Sequence, residues 1–511
     1  MNKLEHTRYI CVPITENQPD TFLQAMLQAA QTADAIELRL DYLSDAARAE
    51  VLAYLPALAA QLATPLLFTF RPREQGGQRA LSLGERRAFW QSLPAAITAL
   101  IGWADFEFDL VESLAHETPP VPWDKVICSW HNFEGTPADL IQRYERMAAT
   151  PAAVIKLATK CNRLGDCLRL FELIEYAQDR KPVIALGMGL PGLSTRVLAL
   201  SRGALLTFGA LRRGAESAAG QPTVDELNNL YRVKQLTRAS RIFGVIGQPI
   251  GHSRSPLIHN PALQAAGIDG VYLPLEVDDT ASFIRDFVQP KTRKLDWNLR
   301  GLSVTIPHKL AVIPFLDQLD ATAQAIGAVN TIVVEGERLL GYNTDVHGAM
   351  QPLTERLDVR GARVAVLGAG GSARAVCYGL QQRGAEVTIY ARAAAKAQPL
   401  ADEFNATAAA LDRFHGQADI VINCTPLGMK GHSEGQSPIT AESLRGVRLV
   451  FDLVYNPEET ALLQAAQTAG CDTLSGLAML VAQAAEQFRL WTGRPAPIDV
   501  MWQAARPASS G

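Results

Sequence analysis

The stretch VICSWHNFEGTPADLIQRYERMAATPAAVIKLAT, residues 126–159, contains two apolar, β-rich runs separated by a gap long enough for one helix. This pattern is typical of parallel strands, because a parallel pair needs a crossover connection. Similar runs begin at Arg8, Ala35, Pro65 and Trp103 before this stretch, and at Pro182 and Leu205 after it. Eight runs whose starts lie 23 to 38 residues apart predict a (β/α)8 barrel. The uneven spacing, without a sequence repeat, argues against a solenoid.

The composition predicts a soluble, multidomain protein with large cores. The chain has 511 residues, of which 48% are hydrophobic and 20% charged. A net charge of −4 argues against a general binder of nucleic acid or anionic membranes. Residues 51–70 are uncharged, but Pro56 and Pro65 divide them, so we expect a helix end, a turn and a strand rather than a membrane span. Seven cysteines without a Cys-x-x-Cys pair, and a start without a signal core, favour a reduced, cytoplasmic protein.

Polar residues at the carboxyl ends of the barrel strands are the candidates for chemistry. They are Glu37, Arg39, Arg71, His131 and Arg196. Lys156 lies inside the apolar run VIKLA, where an unpaired ammonium would be costly. Burial and neighbouring cations would lower its pKa toward neutrality, which would give an amine able to form an imine with a ketone. His131 could then transfer protons. Alternatively, Lys156 pairs with an acid such as Glu37 or reaches the rim, and the arginines form ordinary ion pairs.

The motifs ELRLD, TFR, SWHNF, VIKLAT and a late Gln after a small-residue loop, spread over residues 8–237, resemble type I 3-dehydroquinate dehydratase. The resemblance implies that Lys156 forms an imine with the substrate ketone and that His131 moves the protons. It also implies that the carboxylate and hydroxyls are held by Glu37, Arg39, Arg71, Arg196, Ser217 and Gln221. One position departs from the family, because Gln75, preceded by Glu74, stands where a Glu supports the catalytic His. Either Glu74 substitutes for it or the activity is tuned differently.

A nucleotide-binding fold is predicted in the second half by VAVLGAGGSARAV, residues 364–376. A buried strand, a Gly-rich turn and a helix start in this order are typical of dinucleotide binding, with the pyrophosphate on the backbone N–H groups at the helix start. The residues of this turn are Gly368, Ala369, Gly370, Gly371, Ser372 and Ala373. The next predicted strand ends at Arg392 rather than at an acid, which favours the 2′-phosphate of NADP. Alternatively, Arg392 is a solvated arginine at a strand end.

Residues 241–345 carry clusters of small polar residues that core packing does not explain. These are GHSRSPLIHN, SVTIPHK, GAVNT and GYNTD. They include one titratable pair, Lys309 and Asp345. Such a pair could move the proton of a secondary alcohol while hydride leaves its carbon. A buried salt bridge is the alternative.

These clusters, with INCTPLGM, FDLVYNP and GLAMLVAQAAEQFRLWTG, resemble shikimate dehydrogenase over residues 241–500. The resemblance implies that Ser253 and Ser255 bind the substrate carboxylate. It assigns the other substrate groups to Thr305, Asn330, Tyr455 and Gln483, and the nicotinamide environment to Leu453, Gly476 and Met479. The family's Asn-Arg-Thr cofactor clamp is reduced here to Ala-Arg-Ala around Arg392, so we expect a weaker preference for NADP and some use of NAD. The two serines and Thr305 favour shikimate over quinate.

The sequence therefore predicts an α/β chain of three parts. These are a barrel over 1–238, a substrate-binding domain over 239–345 that 477–503 completes, and a Rossmann NADP-binding domain over 346–476. Residues 222–240 are expected to form a final barrel helix. Together, the halves would convert 3-dehydroquinate to 3-dehydroshikimate and then, with NADPH, to shikimate. Only small-molecule partners are expected, with no nucleic acid, membrane or metal.

Three alternatives stay open at this stage. The first is a quinate/shikimate dehydrogenase with a weak or altered barrel. The second is an imine-forming aldolase barrel joined to a quinate dehydrogenase. The third is a non-catalytic, ligand-sensing regulator on the same folds. The oligomeric state is left open as well.

Overall fold

A computed structural model describes residues 8–506, which form two compact units. One unit is built mainly from the chain up to Arg241 and the other mainly from the chain after it. Within residues 8–506, no helix is long and apolar enough to cross a membrane. The uncharged segment 51–70 contains a helix end and a buried strand, as predicted.

The first unit is an eight-stranded parallel barrel, which confirms the predicted fold. Its strands are β1 (Tyr9–Ile14), β2 (Ala35–Arg39), β3 (Leu66–Thr69), β4 (Ile101–Glu107), β5 (Val126–Asn132), β6 (Val154–Lys160), β7 (Val183–Met188) and β8 (Leu206–Phe208). Its α-helices are α1 (Pro19–Ala29), α2 (Asp45–Ala59), α3 (Leu83–Gln91), α4 (Ala95–Thr98), α5 (Phe108–Leu114), α6 (Leu140–Ala148), α7 (Cys167–Tyr176) and α8 (Leu193–Leu198). The strands run in the order β7-β6-β5-β4-β3-β2-β1-β8. At the seam between β7 and β8, the Leu205 N–H donates to the Val183 carbonyl over 3.0 Å.

Strand alternation places a polar layer on an apolar one inside the barrel. The apolar layer includes Cys11, Ala35, Leu67, Trp103, Ile127, Val154 and Ile184. Residues two positions further along a strand point to the same face. In four neighbouring strands these residues are Thr69, Asp105, Ser129 and Lys156. These polar side chains therefore lie above a packed apolar layer, nearer the carboxyl ends of the strands.

The predicted helix over 222–240 is wrong in extent. The structure has a five-residue π-helix, Glu226–Leu230, followed by turns. Arg232 has a left-handed φ of 51°, which a continuing right-handed helix cannot contain. Leu227 and Val233 are nonetheless fully buried. The apolar pattern correctly indicated burial, but the chain achieves that burial without a regular helix.

The second unit contains two six-stranded sheets. The first, in the order β10-β9-β11-β13-β14-β12, contains β9 (Arg241–Gly247), β10 (Gly270–Glu276), β11 (Leu299–Val304), β12 (Gln318–Leu319), β13 (Thr331–Glu335) and β14 (Arg338–Tyr342). The second, in the order β17-β16-β15-β18-β19-β20, contains β15 (Arg363–Leu367), β16 (Glu386–Ala391), β17 (Thr407–Ala410), β18 (Ile420–Asn423), β19 (Leu449–Asp452) and β20 (Asp472–Ser475). The second sheet is parallel throughout and follows the doubly wound order 3-2-1-4-5-6, which confirms the predicted Rossmann fold.

The helices of the second unit connect these strands and return to the first sheet. They are α9 (Ser255–Ala265), α10 (Thr280–Phe283), α11 (His308–Ala311), α12 (Ala321–Ile326), α13 (Asp345–Thr354), α14 (Gly371–Gln381), α15 (Ala394–Glu403), α16 (Ala461–Thr468), α17 (Gly476–Thr492) and α18 (Ile498–Ala505). Helix α17 packs along α13, and α18 packs against α9. The packing of α18 against α9 agrees with a C-terminal segment that completes the substrate-binding part, although the domain bounds themselves stay a prediction.

Candidate active sites

One cavity at the carboxyl end of the barrel is lined by all eight residues predicted for the first reaction. These are Glu37, Arg39, Arg71, His131, Lys156, Arg196, Ser217 and Gln221. They come from strands β2, β5 and β6 and from the segments that follow β3, β7 and β8, although some are separated by more than 180 positions in sequence. The barrel therefore assembles one polar site, and the role of each residue stays a prediction.

Lys156 is buried beside a carboxylate that the sequence analysis did not identify. Its side chain is 6% exposed, and Nζ lies 2.8 Å from Oδ2 of Asp105 and 4.4 Å from the ring centre of Phe208. The sequence left open a neutral amine, a pair with an acid such as Glu37, and an amine that reaches the rim. The structure shows a pair with an acid, which is Asp105. The carboxylate of Asp105 therefore fixes the position of this amine inside the barrel.

Asp105 holds together the basic groups of the site. It is fully buried on β4 and contacts Lys156, Nη2 of Arg71 at 2.6 Å and Oγ of Ser129 at 2.5 Å. Burial alone would raise the pKa of Asp105, but Arg71 and Lys156 hold it well below its usual range. Asp105 therefore remains ionised at neutral pH and fixes both cations.

His131 ends β5 with its ring against a guanidinium. Nη1 of Arg71 lies 2.7 Å from Nδ1 and 2.5 Å from Nε2 of the ring. Burial, followed by the charges of Arg71 and Lys156, lowers the pKa of His131 well below its ordinary value. The imidazole is therefore neutral at physiological pH and can accept a proton.

Gln75 supports the backbone of His131 rather than its ring. Its Oε1 accepts a hydrogen bond from the His131 backbone N–H over 2.9 Å. Glu74 is exposed and is not among the described residues that line the cavity. The proposed substitution by Glu74 therefore finds no support in this geometry.

Two of the predicted binding residues have a charge or a hydrogen-bond donor that a ligand could satisfy. Arg196 is buried, its Nε donates to the Gly187 carbonyl over 3.0 Å, and no carboxylate within residues 8–506 forms an ion pair with it. Burial lowers the pKa of Arg196 to about 10, so it remains a cation. Gln221 accepts from the Ser217 hydroxyl over 3.1 Å, while its buried Nε2 finds no hydrogen-bond acceptor in the described part of the chain. A substrate carboxylate and a hydroxyl would satisfy these groups.

Glu37 and Arg39 are already engaged at the second strand. Arg39 forms a two-point ion pair with Asp41, over 2.9 and 2.8 Å. Glu37 accepts from the Thr69 hydroxyl over 2.8 Å. These contacts fix both side chains at the cavity wall before any ligand arrives.

In the second unit, Lys309 and Asp345 meet as predicted from their motifs. Nζ lies 2.5 Å from Oδ2 of Asp345. The side chain of Asn330 donates to Asp345 Oδ1 over 2.8 Å and to Thr344 Oγ1 over 3.0 Å. Asn330, predicted to bind substrate, therefore orients the carboxylate of Asp345. The Lys309 side chain is 26% exposed, so a ligand can reach it.

The other predicted substrate residues are half-buried and make no hydrogen bond to the Lys309–Asp345 pair in the described structure. They are Ser253, Ser255, Thr305, Tyr455 and Gln483. Ser255 begins α9, and its backbone N–H donates to Ser253 Oγ over 3.3 Å. Burial raises the pKa of Tyr455, so its phenol remains protonated.

The Gly-rich turn after β15 leaves backbone accessible at the start of α14. Gly368 has a φ of 102°, which favours glycine, and it lets the chain turn sharply after the strand. A Cβ atom at Gly370 or Gly371 would meet no atom within 4 Å, so a pyrophosphate has room at these N–H groups. Ala373 is buried one turn into the helix, and Arg392 is exposed directly after β16. These residues fit a dinucleotide.

Leu453 and Gly476, both predicted to flank the nicotinamide, approach each other closely through their backbones. A Cβ atom at Gly476 would lie 2.3 Å from the Leu453 carbonyl oxygen, so only glycine allows α17 to begin there. Met479 follows in the first turn of α17 and is half-buried.

Sequence reasoning missed the buried acids that position these groups. Besides Asp105, the buried Asp452 at the end of β19 accepts from Asn423 Nδ2 over 2.8 Å and from Thr460 Oγ1 over 2.6 Å. It thereby fixes the start of the FDLVYNP loop. The parallel register of Asn423 with Asp452 explains why INC and FDL both carry a polar residue at a strand end.

Four family descriptions match the chain. "Type I 3-dehydroquinase" matches residues 10–238, and "Shikimate dehydrogenase substrate binding domain" matches 245–332. "Shikimate / quinate 5-dehydrogenase" matches 351–453, and "Shikimate 5'-dehydrogenase C-terminal domain" matches 476–506.

Relatives cover either the whole chain or its second half. The chain is 35% identical to the chloroplastic bifunctional 3-dehydroquinate dehydratase/shikimate dehydrogenase of Arabidopsis thaliana, over 97% of this chain and 83% of that protein. It is 32% identical to the pentafunctional AROM polypeptide of Yarrowia lipolytica, over 94% of this chain and 32% of that protein. It is 38% identical to shikimate dehydrogenase (NADP(+)) of Methanothermobacter thermautotrophicus, over 53% and 98%. The crystal structure of the Thermus thermophilus shikimate 5-dehydrogenase with NADP(H) and shikimate covers 52% of this chain and 98% of its own, at 35% identity and a TM-score of 0.47.

Proposed function

The chain belongs to the bifunctional 3-dehydroquinate dehydratase/shikimate dehydrogenase family, and from this premise we propose the two reactions that it performs. The barrel dehydrates 3-dehydroquinate to 3-dehydroshikimate, and the second unit reduces 3-dehydroshikimate to shikimate with NADPH. The observation that carries the proposal is the convergence of Lys156 and the neutral His131 on one cavity, with Asp105 paired to the amine of Lys156.

The dehydration begins at the ion pair of Lys156 and Asp105. The neutral imidazole of His131 accepts a proton as the amine becomes free, and Nζ attacks the C3 ketone. His131 then returns that proton to the hydroxyl of the adduct, which leaves as water and gives the protonated imine and a neutral His131. Asp105 stabilises the positive charge of this imine. The imine accepts the electron pair when His131 removes the C2 proton. His131 returns that proton to the C1 hydroxyl, which leaves as water, and hydrolysis of the imine releases the product and the amine.

We assign substrate orientation in the barrel to a cation without a carboxylate partner and to an amide N–H without an acceptor within residues 8–506. Arg196 takes the substrate carboxylate, since no protein carboxylate within residues 8–506 pairs with it. Gln221 donates its free amide N–H to a substrate hydroxyl. Ser217 lies beside Gln221 and donates its own hydroxyl to the Gln221 side chain. Glu37 and Arg39 bind the remaining hydroxyls from the wall that they already form.

In the second unit, the chain's residues orient the ketone and supply the proton. The NADPH that fits the Gly-rich turn supplies a hydride when bound. Lys309 donates the proton to the carbonyl oxygen, while Asn330 and Asp345 hold its ammonium in place. Ser253 and Ser255 hold the carboxylate. Arg392 pairs with the 2′-phosphate of the cofactor.

We also propose the domain bounds 1–238, 239–345 with 477–503, and 346–476. Small molecules, and no nucleic acid, are the proposed partners of a chain with a net charge of −4. The seven cysteines are free, which fits a reducing compartment such as the cytoplasm.

One coupled assay tests both reactions. The chain receives 3-dehydroquinate and NADPH, and the loss of NADPH absorbance is followed. We expect turnover in the unaltered chain, none in Lys156→Ala, and full recovery of that variant when 3-dehydroshikimate is added. No turnover with either substrate would favour a ligand-sensing regulator. A preference for quinate over shikimate in the reverse reaction with NADP would favour the quinate alternative.

A further inference from the structure

A second buried acid lies behind the arginine that contacts His131. Glu107 is two residues after Asp105 on β4, so both side chains point into the barrel. It is 1% exposed, and its Oε1 lies 3.9 Å from Nε of Arg71. Its Oε2 accepts from Nη1 of Arg86 over 2.9 Å. Among residues 8–506, Oε1 has no hydrogen-bond partner. The mechanism above does not use this carboxyl group.

Glu107 belongs to a chain of alternating charges that begins at the imine-forming amine. The members are, in order, Lys156, Asp105, Arg71, Glu107, Arg86 and Asp109. Only the side chain of Asp109, which is 55% exposed, reaches solvent to a large extent. Arg71 is the member in contact with the His131 ring. The acids on either side of Arg71 therefore decide how much positive charge the ring experiences.

We propose that Glu107 is a positioning residue for the dehydration: acting through Arg71, its carboxylate offsets the guanidinium charge and makes His131 a stronger proton acceptor. A cation against the imidazole opposes the imidazolium form that arises when His131 takes the C2 proton. Gln75 contributes no charge against this effect, because its side chain is a neutral amide. That amide contacts the His131 backbone and not the ring. Glu107 supplies this negative charge, and it acts on His131 through Arg71. The inference rests on the dehydration proposed above.

The charge on Glu107 changes within the working pH range. Burial raises the pKa of Glu107 to about 7, with Asp105 acting in the same direction and Arg71 and Arg86 acting against it. Its register partner on β5, Ser129, does not titrate in this range. Above about pH 7 the carboxylate is ionised and offsets Arg71, and below it the offset is lost.

His131 itself does not titrate over the same range. The charged groups that act on its ring are Arg71, Lys156, Asp105 and Arg39, and its pKa lies well below its ordinary value. A rise of dehydration rate near pH 7 that is lost in Glu107→Gln therefore reports Glu107.

The test measures kcat and KM of dehydration from about pH 6 to about pH 8.5 in the full chain, in Glu107→Gln and in Glu107→Asp. We expect Glu107→Gln to match the unaltered chain near pH 6 and to lose kcat on the order of tenfold near pH 8, since one charge at an effective dielectric of about 20 is removed. We expect KM to change little. Glu112→Gln, which removes an exposed acid of α5, should leave the profile unchanged. NADPH-dependent reduction of 3-dehydroshikimate should be the same in all variants.

A rise near pH 7 that persists in Glu107→Gln, or an equal kcat near pH 8, would overturn the inference. If the Gln variant does not fold, as judged by borohydride trapping of substrate on Lys156, Glu107→Asp decides, because it keeps the charge. That variant should retain a rise with a shifted midpoint, and a flat profile would overturn the inference. Absence of dehydration in the unaltered chain would overturn the proposed function itself, whereas normal dehydration with an unaffected Gln variant would overturn only the role of Glu107.

Discussion

Replacing Asp105 by Asn should strongly destabilise the barrel. The fully buried carboxylate contacts Lys156 at 2.8 Å and Arg71 at 2.6 Å, and both cations are themselves at most 6% exposed. An Asn side chain has nearly the same shape but no charge, so two buried cations lose their common partner.

The magnitude follows from the energetics of buried ion pairs. Removing one partner typically costs about 3–5 kcal/mol. We expect the lower end, about 3 kcal/mol, because Arg71 keeps Glu107 at 3.9 Å. At about 2–4 °C per kcal/mol for a unit of this size, the unfolding midpoint of the barrel falls by roughly 6–12 °C. Glu107, whose pKa is raised to about 7, is ionised near pH 9 but not near pH 6, so the deficit should be smaller near pH 9.

Thermal unfolding followed by circular dichroism provides the assay, with dehydration and reduction measured on the same samples. The matched control is Ser129→Ala, which removes one hydrogen bond of 2.5 Å to the same carboxylate and should cost only about 1 kcal/mol. Dehydration in Asp105→Asn should fall on the order of a hundredfold, while reduction stays unchanged. A midpoint lowered by less than about 2 °C, together with normal dehydration, would refute the reasoning.

Three further predictions concern the proton and cofactor groups. Lys309→Met should lower kcat of the reduction by about 10²–10⁴-fold and leave dehydration intact, as separate assays of the two steps would show; an intact reduction would exclude Lys309 as the proton donor. Arg392→Gln should raise KM for NADPH by roughly tenfold with little change for NADH, and equal changes for both would mean that Arg392 does not contact the 2′-phosphate. Because its pKa is lowered, the His131 ring should remain neutral as the pH falls from 7 to about 6 in an NMR titration, and a midpoint near 6.5 would contradict this expectation.

Much of the fold could be predicted because strand spacing and Gly-rich turns are local signals. The eight barrel strands and the strand–turn–helix at Gly368 lie where the periodicity indicated. The segment after Gln221 could not be predicted in this way, because its apolar residues are buried by tertiary packing while Arg232 takes a left-handed conformation. Apolar spacing predicts which residues are buried, but it does not predict a regular helix between them.

The predicted site residues of the barrel line one cavity, whereas the residues that hold them in place were missed. His131 and Lys156 follow from strand ends and from the cost of a buried amine. Asp105 and Glu107 looked like ordinary members of an apolar strand in WADFEFDL, although their spacing of two places both on the inner face. Pairing across strands separated by about 50 residues in sequence depends on the closed barrel and is not visible before it is built.

The most direct test of the account is borohydride reduction in the presence of 3-dehydroquinate, followed by mass spectrometry of the intact chain and its peptides. The account predicts one reduced adduct per chain, located on Lys156, and none in Lys156→Arg. Turnover of 3-dehydroquinate without any adduct, or with the adduct on a different lysine, would contradict it.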